Sequence, residues 1–134
     1  MIYCSRKLEF DAGHRLVGHE GKCRNLHGHR YSVDIAFAAP LNELGIVIDF
    51  GTVKSIIGTW IDENLDHGVI LNEKDTELIE LCNRNKWKLF VMKSNPTAEN
   101  IAELIYHVSK TLIDSAKIEA VRVYETPNCW ATAI

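Results

Sequence analysis

At 134 residues the chain has the length of one domain, long enough to bury a core without disulfide or metal staples. Its 46% hydrophobic and 25% charged content is ordinary for a globular protein, and a formal net charge of -3 with no basic stripe argues against a nucleic-acid partner. No apolar run approaches membrane-spanning length, the N-terminus lacks a signal-peptide core, and cysteines 4, 23, 82 and 129 form no CxxC pair, which points to reduced thiols in the cytoplasm.

Residues 2–14 alternate: Cys4, Leu8, Phe10, Ala12 and His14 share one parity, with Arg6 the exception, and Tyr3, Ser5, Lys7, Glu9 and Asp11 the other. The spacing predicts a half-buried strand. A second begins at His27, with His29, Tyr31, Val33, Ile35 and Phe37 on its apolar face. A helix is expected over 52–65, where Val53, Ile56, Ile57, Trp60, Ile61 and Leu65 follow the 3.6-residue period despite Gly58. A longer irregular stretch follows, with a short helix over 76–83 and a strand over 87–93. Thr97 is a suitable N-cap for another helix, whose first turn Glu99 complements and whose stripe is Ile101, Leu104, Ile105, Val108 and Leu112. Strands over 120–125 and 129–134, joined through Pro127 and Asn128, complete an α+β chain with a mainly antiparallel sheet. There is no repeat, low-complexity tract or linker, so residues 1–134 are expected to form one domain. Exposed strand edges favour oligomerisation.

The chemistry concentrates in Cys23-Arg24-Asn25-Leu26-His27-Gly28-His29. In an extended segment His27 and His29 project from one face, and Gly28 between them permits close approach. If the two strands pair, His14 joins them. Three imidazoles match a catalytic zinc site with one open position; nothing suggests redox chemistry or a facial-triad carboxylate. Cys23 has two readings on bare chemistry. As a fourth ligand it would make the zinc structural and the protein a non-catalytic binding module. As a free thiol beside a cation it could act as base or nucleophile. Asp66-His67, after the first helix, could orient an imidazole that exchanges protons with Cys23, or could simply end a helix. Glu125, at a strand end, could accept two parallel N–H donors from an aminopyrimidine-like edge, or be a solvated turn residue. His19 and His107 fit no constellation.

Taken in order, Phe10-x-Ala12-x-His14, Cys23-x-x-x-His27-Gly28-His29, Val47-Ile48-Asp49-Phe50, Leu65-Asp66-His67, Asn95-Pro96-Thr97-x-Glu99-Asn100 and Glu125-Thr126 resemble the 6-pyruvoyltetrahydropterin synthase / 6-carboxytetrahydropterin synthase family over essentially the whole chain. The three-residue spacer between the cysteine and His-Gly-His is similar to the bacterial 6-carboxytetrahydropterin synthase branch. The resemblance implies a tunnelling (T-) fold, an antiparallel sheet with two main helices on one face, whose subunits join edge strands into a barrel. Two trimers would stack as a homohexamer with active sites between subunits. It implies zinc on His14, His27 and His29, Cys23 as catalytic base, Asp66 and His67 as proton-relay partners, and Glu125 as pterin anchor. Thr97 and Glu99 would help line the pterin pocket. The implied reaction converts 7,8-dihydroneopterin triphosphate to 6-carboxy-5,6,7,8-tetrahydropterin, releasing acetaldehyde and triphosphate, on the way to queuosine and other 7-deazapurines. Stopping at elimination would give 6-pyruvoyltetrahydropterin instead. Gly13 stands where the family more usually has Ala or Ser, and the stretch 72–88 is longer than in shorter bacterial members, with a reshaped pocket rim expected.

Overall fold

The alternation in the first two apolar segments becomes a long two-stranded ladder. β1 (Ile2–His14) runs antiparallel to β2 (His27–Ala39), in register from Ile2 opposite Ala39 to His14 opposite His27. In this computed structural model, which describes residues 1–134, Leu8, Phe10, Ala12 and His14 of β1 and Tyr31, Val33, Ile35 and Phe37 of β2 are buried on one face. Phe10 stacks on Tyr31 with ring centroids 4.9 Å apart. β5 (Lys117–Thr126) pairs antiparallel with β2, and β6 (Cys129–Ala133) returns antiparallel along β5.

Two shorter strands lie on the other side of β1 and depart from the sequence expectation. β3 (Gly68–Asn72) pairs parallel with Ala12–His14, and β4 (Leu89–Met92) pairs parallel with β3. The sheet is therefore mixed, in the order β4-β3-β1-β2-β5-β6, and β3 lies inside the stretch expected to be irregular. Its sequence hides it because both its faces are covered: Ile70 enters the main core while Leu71 enters a second cluster.

The first helix spans α1 (Phe50–Val53), a π-helical turn (Lys54–Gly58) and α2 (Thr59–Asn64) without interruption. Val53, Ile57, Ile61 and Leu65 are all fully buried, four residues apart each time. In a regular α-helix such steps drift by about 40° each, so the wider π turn keeps them on the core face. Burying each stabilises by about 1.5–3 kcal/mol, which outweighs the ~1 kcal/mol cost of Gly58. α4 (Ala98–Leu112) supplies Ile101, Ala102 and Ile105 to the same core, capped by Thr97, whose hydroxyl accepts from the Asn100 N–H at 3.1 Å.

These two helices share the sheet face expected of them. A third, α3 (Thr76–Asn85), does not: Leu78 and Cys82 pack against Leu71 on the opposite side of β3. Most of the stretch 72–88 is thus an ordered helix, N-capped by Asp75 and ended by Lys86 in the left-handed region.

Candidate metal centre

The last rung of the β1–β2 ladder is His14 opposite His27, and His29 follows on the same face. Their ring centroids lie 4.6, 5.0 and 4.9 Å apart, and one nitrogen from each imidazole falls within 4.8 Å of the others. Gly13 opposite Gly28 brings the strands close here: a Cβ on Gly28 would stand 3.0 Å from the Ala12 carbonyl oxygen.

Backbone carbonyls set the tautomers. His14 Nδ1–H donates to the Pro96 carbonyl at 2.7 Å, and His27 Nδ1–H donates to the Asn25 carbonyl at 2.7 Å. Each neutral ring then presents a lone pair at Nε2, yet these two nitrogens face each other at 3.1 Å. His29 Nε2 is buried beside them without a hydrogen-bond partner. Converging, unsatisfied lone pairs are unfavourable unless a cation lies among them, and neutral imidazole is the form that binds one. Burial lowers the pKa of His14 and His29, outweighing the Pro96 hydrogen bond at His14 and the pull of Glu125 on both, and so favours the neutral form. The donor set therefore fits a borderline-soft divalent ion such as zinc.

Cys23 lies outside this group, in the 3-10 turn Lys22–Arg24 between the two strands, half-buried and free. Its carbonyl accepts from the Leu16 N–H at 3.0 Å. With the thiol outside the cluster, the geometry offers three protein ligands rather than a closed His₃Cys shell.

Glu125 sits at the irregular end of the β5–β6 pairing, and its Oε1 lies 4.0 Å from His14 Nε2 with the side chain 27% exposed. Tyr31, beneath His14 and His29, has a buried hydroxyl without a partner, and burial together with Glu125 raises its pKa far above the ordinary tyrosine range. Asp66 and His67 are brought together, but not with the three histidines. Asp66 Oδ1 accepts from the Asp11 N–H at 2.9 Å, the His67 N–H donates to the Asp11 carbonyl at 2.7 Å, and the two side chains pair at 2.8 Å. Burial alone would raise the Asp66 pKa; the bonds from Asp11 and His67 and the charge of Lys88 outweigh it and lower the value. His67, at φ 59°, is 77% exposed and borders a cavity of about 430 Å³ that Asp11, Gly28, His29 and Arg30 also line. No hydrogen bond joins it to Cys23 within one chain.

Thr97 spends its hydroxyl on the α4 cap, one residue from the Pro96 carbonyl that orients His14; Glu99 is exposed in the first turn. His19 bonds locally to the Gly21 N–H, and His107 pairs with Glu103 one turn away along α4. The sequence reading overlooked the orienting carbonyls of Asn25 and Pro96. A proline before a helix cap reads only as a helix start, so no residue-type signal marks its carbonyl as a partner for histidine.

Comparison with known proteins agrees with this geometry. The profile of the 6-pyruvoyl tetrahydropterin synthase family matches residues 3–134. The 6-carboxy-5,6,7,8-tetrahydropterin synthase of Rickettsia bellii is 45% identical over 97% of this chain and 98% of its own. The enzyme of that name from Haemophilus influenzae is 35% identical over 96% and 95%. Among solved structures, an uncharacterized protein from Wolinella succinogenes superposes with a TM-score of 0.86 at 22% identity, covering 98% of this chain and 97% of its own. The 6-pyruvoyl tetrahydropterin synthase of Caenorhabditis elegans gives 0.73 at 24% identity over 98% and 94%. At such identities the structural likeness speaks for the fold, while the profile and the curated relatives speak for the family. This chain is an enzyme, a lyase that belongs to the 6-pyruvoyl tetrahydropterin synthase family.

Proposed function

We propose that the protein converts 7,8-dihydroneopterin triphosphate to 6-carboxy-5,6,7,8-tetrahydropterin with release of acetaldehyde and triphosphate, feeding queuosine and other 7-deazapurines. The observation that carries this reading is the convergence of one nitrogen from each of three imidazoles at the end of the β1–β2 ladder, with a thiol close in sequence but outside the set. His14, His27 and His29 would hold zinc, which when bound supplies a Lewis acid for the hydroxylated side chain of the pterin. Cys23 removes a proton from that side chain, and His67, oriented by Asp66, returns or relays it. Glu125 accepts N–H donors from the pterin ring and so positions the side chain at the histidine cluster. Thr97 and Glu99 line the pocket beside the Pro96 carbonyl.

Because His67 stands apart from the histidine cluster in its own chain, the relay is assigned to a neighbouring copy. The sheet supports this. β1 pairs with β3 only from Ala12 to His14, which leaves the side away from β2 open over most of its length; β6 is open at the far end. A β6 edge on the next copy's β1 edge is a head-to-tail contact that closes into a ring, the barrel expected of two stacked trimers. It brings the Asp66–His67 edge of one copy toward the Glu125 side of another.

The test is incubation of zinc-loaded protein with 7,8-dihydroneopterin triphosphate and analysis of products. Acetaldehyde together with the 6-carboxy product is expected. Triphosphate release without acetaldehyde would assign the 6-pyruvoyl elimination, the reading favoured by the family profile's own description. Cys23→Ala is expected to keep its zinc and lose turnover; loss of zinc in that variant would return Cys23 to the ligand set.

A further inference from the structure

Asn95 does more than open α4. Its Oδ1 accepts from the Val17 N–H and its Nδ2–H₂ donates to the Val17 carbonyl, both at 2.9 Å, so its amide pairs with Val17 as a neighbouring strand would. Asn95 is itself held from two sides. Its carbonyl accepts from Asn100 Nδ2 at 2.8 Å and from the Thr97 N–H at 2.8 Å, and its Oδ1 accepts from Asn72 Nδ2 at 3.0 Å.

Val17 belongs to the connection between His14 and His27, which otherwise has little regular structure. Its neighbour Leu16 donates to the Cys23 carbonyl at 3.0 Å. A path of hydrogen bonds, linked by the Leu16–Val17 peptide bond, thus runs from α4 through Asn95 to the backbone of Cys23. The next residue, Pro96, orients His14 through its carbonyl. One dipeptide therefore reaches both the histidine cluster, by its backbone, and the thiol loop, by its side chain. On the other flank of the loop, Arg15 closes on the buried carboxylate of Asp75, Nε to Oδ2 at 2.8 Å, which limits the loop's remaining freedom.

We propose that Asn95 is a positioning residue for the proposed reaction: its amide fixes the 16–23 segment so that the Cys23 thiol is held at one place relative to the three histidines. The inference rests on the assignment of Cys23 to proton transfer given above. It predicts a separation of effects, because the Pro96 carbonyl survives substitution of the Asn95 side chain. Zinc binding stays, and the thiol's placement is lost.

Asn95→Ala and Asn95→Asp, both zinc-loaded, would be compared with wild type and Cys23→Ala. Asp keeps an acceptor for Val17 and Asn72 but loses the donor to the Val17 carbonyl, so it reads the clamp should Ala fail to fold. The expected result is a kcat lower by about 10-fold or more with KM and zinc content near wild type. The rate of Cys23 alkylation by iodoacetamide, followed by peptide mass spectrometry with added glutathione as the reference thiol, is expected to change alongside. Wild-type kcat and alkylation rate in both variants would overturn the proposal. So would loss of zinc, which would give Asn95 to the histidine site instead. Full turnover by Cys23→Ala would refute the assignment of Cys23 itself, an outcome separate from any behaviour of the Asn95 variants.

Discussion

Gly28→Ala tests the geometry of the centre without touching a ligand. Gly28 lies between His27 and His29 and opposite Gly13. An added Cβ would meet the Ala12 carbonyl oxygen at 3.0 Å, the Ala12 carbonyl carbon at 3.6 Å and the Gly13 Cα at 3.6 Å. All three atoms belong to the β1 backbone, so no side chain can swing away; the strands must part by a few tenths of an ångström. Overpacking of this kind costs about 1–3 kcal/mol. The strain falls where His14 meets two imidazoles across the strand gap, so most of it should appear as lost affinity for the ion. That range corresponds to roughly 5- to 150-fold in dissociation constant. The assay is zinc competition against a chromophoric chelator, with thermal melts of the metal-free proteins alongside. Gly28→Ala should bind zinc at least about 5-fold more weakly. Affinity within twofold of wild type, in a variant that melts normally, would refute the argument that close strand approach sets the site.

If the relay histidine is supplied by a neighbouring copy, Cys23→Ala and His67→Ala, each inactive alone, should recover activity when mixed and allowed to exchange subunits, at about a quarter of the sites for equal amounts; turnover that stays at the sum of the separate variants would place the pair in one chain. The lowered pKa of Asp66 means that its contribution to stability is present above the unfolded-state value and is lost as pH falls through the folded-state value. The stability difference between wild type and Asp66→Asn, measured by urea unfolding, should therefore be largest near neutral pH and shrink on acidification below about pH 4. Asp75→Ala leaves the Arg15 guanidinium only its longer contact to exposed Glu77 at 3.4 Å and removes the α3 cap, so it should cost about 2 kcal/mol in the same assay; a loss under 1 kcal/mol would show the pair to be dispensable.

The parts of the fold legible in the sequence were those whose burial is one-sided. β1 and β2 alternate because one face meets the core, and the helices carry stripes for the same reason. Thr97 announced its helix because capping is a local, chemically specific need. β3 was illegible because helices cover it from both sides, which turns alternation into the uniform run Val69-Ile70-Leu71. The parallel pairing of β3 with β1 and the placement of α3 across the sheet depend on contacts distant in sequence. At the site, His14, His27 and His29 stood out through shared parity on paired strands. The carbonyls that orient His14 and His27 carry no such signature, because backbone groups are the same at every position, and an asparagine before a proline reads as a turn residue whatever its side-chain amide reaches. Asp66 and His67 were visible as a pair, but their grouping with Asp11 rather than with the three histidines is a property of the sheet, not of two adjacent letters.

The longest ladder in the molecule terminates in His14 opposite His27. This is the loop side of the hairpin: beyond it the chain leaves as the long connection 15–26 before it returns as β2. An ion gripped there would act as a clasp at the mouth of that loop, holding the last rung together where a tight turn would do so in a shorter hairpin. Occupancy of the centre would then be felt along the β1–β2 backbone, with amide exchange near Gly13 and Gly28 slowing as the clasp closes.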